Sequence, residues 1–126
     1  MNLQDQFNPI KAIQTLKDNA VGIQKLGGSI TKKRILLSLS RAILADKETE
    51  LRDSIFTGKQ EVQATKLRDW MCWKKATEQK EVDTLSDEIK IAEGKLNILI
   101  EINNTVKFSY KIYEMEMKGL NYTQPT

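Results

Sequence analysis

One series of residues constrains this chain more than any other. Val82, Leu85, Ile89, Ala92, Leu96, Leu99, Asn103, Val106, Tyr110, Tyr113, Met117 and Leu120 follow one another at alternating steps of three and four, and only Asn103 among them is neither apolar nor aromatic. The charged residues of the same stretch, from Glu81 and Asp83 through Lys90, Glu93 and Glu101 to Lys118, all fall at other positions. A period of about 3.5 residues held this long marks an α-helix packed lengthwise against a partner helix. Asn103 takes a core position of that helix, where a polar residue lowers stability but fixes register and oligomer state.

A second pattern competes over part of this stretch. Ile98, Ile100 and Ile102, then Val106, Phe108, Tyr110 and Ile112, alternate around Asn103-Asn104 as a β-hairpin at about 96–113 would. Gly94 would end a preceding helix, and β-branched and aromatic residues suit strands. Against the hairpin, Leu99 would point to the wrong face and an isolated pair of strands is marginal. The series of threes and fours also runs through without a change of phase, so the helix is the favoured reading.

Upstream, two Pro and six Gly in 126 residues leave little punctuation, so elements should be few and long. Asn8-Pro9 reads as an N-cap followed by Pro at the first helical position. Ile10, Ile13, Leu16, Ala20, Ile23 and Leu26 then form one apolar stripe, and Gly27-Gly28 reads as a stop, giving a first helix at about 9–26. Ser29 or Thr31 would cap a second helix at about 31–57, with Ile35, Leu36, Leu39, Ile43, Leu44, Leu51, Ile55 and Phe56 on one broad face and Gly58 at its end. A third helix, about 60–118, would start near Gln60, with Glu61 suited to the positive end of the macrodipole and Leu67, Trp70, Met71 and Trp73 as its first apolar cluster. Thr84-Leu85-Ser86-Asp87 resembles a capping box.

The expected architecture is therefore all-α: two shorter helices plus a long third with a coiled-coil-like C-terminal seam, one helical domain over 1–120, and a disordered tail at 121–126. Two helices that short leave the seam from Val82 onward uncovered, and an apolar stripe of that length demands a neighbour. Self-association is the simplest neighbour, with a homodimer favoured and Leu85, Ile89, Leu96, Leu99, Asn103, Val106, Tyr110 and Tyr113 as its seam.

The chain contains no histidine. That removes Ser-His-Asp and Cys-His catalysis, histidine general bases and His-ligated zinc or iron sites together. Cys72 is the single cysteine, so no intramolecular disulfide forms and a reducing, cytoplasmic compartment fits best. No apolar run approaches the length of a membrane span, and Met1–Gln6 leads into no secretory signal. Gly22-Ile23-Gln24-Lys25-Leu26-Gly27-Gly28-Ser29 mimics a phosphate loop, but Gly28 stands where the phosphate-binding lysine belongs. Asp46, Glu50 and Asp53 share a helix face, which reads as solvated acid rather than a divalent site. No catalytic residue, cofactor or metal is expected.

Charge is uneven. From Pro9 to Arg41, Lys11, Lys17, Lys25, Lys32, Lys33, Arg34 and Arg41 stand against Asp18 alone, while the whole chain is only +3. Lys32, Lys33 and Arg34 in the first turn of a second helix would oppose its macrodipole, so they should meet an anionic partner or pair within an assembly, unless they are simply a solvated basic face. With Arg41, and with Trp70, Trp73, Lys74 and Lys75, they form the candidate partner or nucleic-acid surface, since bases stack on indoles while lysines hold phosphate. The acidic half of the same helix argues against a membrane surface. The function expected is that of a non-catalytic oligomeric interaction protein, an adaptor, assembly factor or inhibitor acting on another protein. A nucleic-acid-binding accessory protein is the alternative.

Overall fold

The computed structural model describes residues 7–123. All regular structure among them is helical: α1 (Pro9–Phe56), a 3-10 turn (Ala64–Lys66), α2 (Leu67–Lys74) and α3 (Ala76–Thr123). Met1–Gln6, residues 124–126 of the expected tail, and the side chain of the last seam position, Leu120, lie outside the described residues.

α1 begins where its sequence dictates. The Lys11 N–H donates to Asn8 Oδ1 at 3.1 Å, Pro9 occupies the first helical position, and the Ala12 N–H donates to the Asn8 carbonyl at 3.0 Å. The helix then runs for 48 residues through Gly27-Gly28. This corrects the expectation of separate helices at about 9–26 and 31–57. Gly58 is the only glycine among the described residues with positive φ, so neither Gly27 nor Gly28 adopts the left-handed cap that would stop a helix. Each costs about 1 kcal/mol relative to alanine inside a helix. That cost is offset because the packed row continues across them: Ile23, Leu26, Ile30, Lys33 and Leu37 are all half-buried or buried.

The real stop is Gly58, at φ +76°. Its N–H donates to the Ile55 carbonyl at 3.1 Å, and the Gln60 N–H reaches back to the Ser54 carbonyl at 3.0 Å. These bonds satisfy carbonyls that the end of α1 leaves unpaired. A single third helix from Gln60 is also corrected. Residues 61–63 are irregular, and neither Gln63 nor Lys66 provides a side-chain cap for the turn or for α2. α2 lasts eight residues, and Lys75, at φ −105° and ψ 11°, separates it from α3.

α3 passes through residues 96–113 without interruption, and no strand occurs among the described residues, so the hairpin alternative is excluded. Its alternating isoleucines face outward: Ile98 and Ile102 are exposed, while Leu99 and Val106 are half-buried. The heptad prevails because it gives one continuous ridge to pack against α1, whereas a lone hairpin leaves both of its faces largely bare.

The chain forms two compact units. In the middle unit, Ser29–Ala92, Leu37 packs with Val82, Leu85 and Ile89, and Leu44 lies against that cluster. In the other unit, the segment ending at Gly28 pairs with the segment starting at Glu93. There the Phe7 ring lies 6.0 Å from Tyr110 and 5.2 Å from Tyr113, and a Cβ built on Gly22 would meet Leu99 Cδ1 at 3.4 Å. Within each unit the two helical segments are antiparallel: Phe7 lies by Tyr110 and Gly22 by Leu99, and Lys33 lies by Glu88 and Glu48 by Lys75. No described side chain is fully enclosed, because two helices side by side cover only one face of each other.

Candidate interaction surfaces

The seam is covered by the chain itself. Leu85 and Ile89 are buried in the middle unit; Leu96, Leu99, Val106, Tyr110 and Tyr113 are half-buried and Asn103 is buried in the other. α1 presents a matching row at the same alternating spacing. Ala12, Leu16, Asn19, Ile23 and Leu26 serve one unit and Ile30, Lys33, Leu37, Ser40, Leu44, Lys47 and Leu51 the other, all of them buried or half-buried. The inference that the seam requires a second copy assumed two short helices. The unbroken α1 removes that requirement.

Asn103 retains an irregularity. It is only 7 % exposed, and its Oδ1 has no hydrogen-bond partner. With Gly22 opposite Leu99 in an antiparallel pair, one turn further along places Asn19 level with Asn103, so the two polar interruptions fall at the same height.

The basic residues separate into two groups. Lys33 is half-buried, with its Nζ 3.7 Å from Glu88 Oε2, while Lys32, Arg34 and Arg41 are exposed. All four lie well inside α1, not in a first helical turn, so the macrodipole does not act on them as it would on a helix start.

The tryptophans diverge as well. Trp70 is half-buried, whereas Trp73 is 70 % exposed and carries the Lys74 ammonium 4.6 Å above its ring. Lys75 turns to Glu48, donating from Nζ to Oε1 at 2.9 Å. That bond and the lysine's charge hold the Glu48 carboxyl below its ordinary value, with Arg52 adding a smaller effect in the same direction.

Gly22 to Ser29 is helical, so its backbone forms no phosphate cradle. Asp46, Glu50 and Asp53 line one shallow hollow, but no cluster able to hold a metal ion occurs among the described residues. A cleft of about 700 Å³ between the end of α1 and α2 is lined by Phe56, Leu67, Met71, Arg52, Arg68 and others. Of the candidate partner-surface residues, Lys75 lines this cleft.

One surface escaped the sequence reading. Ile35, Leu36, Leu39 and Ile43 were expected on one broad face with Leu44 and Leu51. The structure divides that set: Leu51 is buried, as is Leu37, which the expected face did not include, and Leu44 is half-buried, while Ile35, Leu36, Leu39 and Ile43 are 58, 51, 57 and 59 % exposed. The signal was present in the seven-residue recurrence Ile30, Leu37, Leu44, Leu51, which marks the inward row and leaves the other apolar residues outside it. No helix among the described residues is long and apolar enough to cross a membrane. No family model, curated protein or solved structure matches the chain.

Proposed function

We propose that this chain is a non-catalytic, cytoplasmic interaction protein that works by protein–protein contact, self-associating as an adaptor, assembly factor or inhibitor. The observation that carries this reading is the outward row Ile35, Leu36, Leu39 and Ile43 on a helix whose opposite face is already packed. A helix apolar on two faces is a helix packed on two sides. Each of these side chains is a little over half exposed, so covering it yields about 1 kcal/mol, and the row several. The lack of histidine supports a non-catalytic role, and a lone, exposed Cys72 suits a reducing compartment.

Sedimentation of the purified protein across a range of concentrations tests the reading, with Leu39→Glu beside it. The expected result is reversible association of the wild type that the variant loses while keeping its helix content. A wild type that stays monomeric throughout would overturn self-association through this row.

The nucleic-acid alternative retains Lys32, Arg41, Trp73 and Lys74, but Lys33 and Lys75 engage carboxylates of their own chain. Strong binding to duplex or single-stranded nucleic acid that collapses steeply with added salt would favour it.

A further inference from the structure

The outward row is not symmetric in charge along α1, and this points to its occupant. Lys32 lies two turns before Leu39 on the same face, and Asp46 lies two turns after it; Ile35 and Ile43 stand one turn to either side. All six residues of this face, Leu36 included, are exposed and lie in the middle unit. The face therefore runs from cation through an apolar centre to anion.

We propose that its occupant is a second copy of this chain, packed antiparallel with Leu39 on a two-fold axis. This rests on the self-association reading and gives it an orientation. An isologous contact requires a self-complementary patch, in which a residue ahead of the axis meets the one equally far behind it. Under that operation Leu39 meets Leu39, Ile35 meets Ile43, and Lys32 meets Asp46 of the second copy. A parallel arrangement would instead set Lys32 against Lys32 and Asp46 against Asp46, and repulsion of like charges disfavours it. The seam is untouched, because Leu37 and Leu44 on the opposite side remain against α3.

Crosslinking on a Cys72→Ser background with a short bis-maleimide reads the orientation. Leu39→Cys chains should link to one another efficiently. Lys32→Cys chains should fail to link among themselves, yet link when mixed with Asp46→Cys chains. In sedimentation, Lys32→Glu should weaken the dimer by about tenfold or more, and Lys32→Glu with Asp46→Lys in one chain should restore it.

If the wild type dimerises and Leu39→Glu abolishes the dimer, but Lys32→Cys chains link to themselves, the antiparallel arrangement is overturned while self-association through the row stands. If the wild type is monomeric, or Leu39→Glu dimerises like the wild type, both fail. Circular dichroism of each variant confirms that the substitutions, all at exposed positions, leave the fold intact.

Discussion

Lys75 Nζ donates a 2.9 Å hydrogen bond to Glu48 Oε1, tying the residue where α2 gives way to α3 to the C-terminal part of α1. A lysine that sequence alone assigned to a partner surface is thus employed in closing the chain reversal. Both side chains are largely shielded, with 21 % and 27 % of their surfaces exposed, so the bond is better protected than an ordinary surface pair.

The pair makes stability depend on acid. Glu48 is depressed in the folded chain below its ordinary value of 4.5, so the contribution is complete above that value and is lost as pH falls through the folded one. Thermal melts should show the midpoint dropping in acid below about pH 4.5, and Glu48→Gln should be less stable at neutral pH with a flatter profile in that window. An acid profile unchanged by the substitution would show that other carboxylates govern it.

Gly27→Ala and Gly28→Ala should each stabilise the protein by about 0.5–1 kcal/mol, since alanine is the better residue in a helix interior. A Cβ at either position meets nothing within 4 Å. Gly58→Ala should act in reverse, by about 1–2 kcal/mol, because its φ of +76° is strained for any residue with a Cβ. Denaturant titrations settle all three. Destabilisation by the first two would mean that α1 breaks there after all.

Two adjacent leucines should differ sharply. Leu37→Ala removes a buried neighbour of Val82, Leu85 and Ile89 and should cost about 2–4 kcal/mol. Leu36→Ala, measured at dilutions that disfavour association, should stay within about 0.5 kcal/mol of wild type. Equal losses at both positions would contradict the division of the apolar residues into inward and outward rows.

Asn103→Leu should raise stability by about 1–3 kcal/mol, because it removes a buried carbonyl oxygen that lacks a partner. It should leave the association constant of the proposed dimer unchanged, since Asn103 lies in the intramolecular seam. A weakened dimer in sedimentation would return Asn103 to an intermolecular role.

The heptad from Val82 to Tyr113, the cap at Asn8-Pro9 and the missing chemistry of histidine were all legible in the chain, because each depends on residue type and local spacing. Local spacing thus determined that the last third is a helix with a buried ridge. It did not determine what buries that ridge. That answer turned on Gly27-Gly28, whose intrinsic preference favours a stop but whose flanking row, Ile23, Leu26, Ile30 and Leu37, keeps its phase across them. Packing along the whole row outweighs about 1 kcal/mol at each glycine, and packing exists only once α3 lies alongside. The break at Lys75 is likewise a tertiary outcome, with no proline or glycine to announce it and the bond to Glu48 in its place. The sequence stated which residues are apolar; only the pairing of α1 with α3 decided which of them face inward, and so left Ile35, Leu36, Leu39 and Ile43 at the surface.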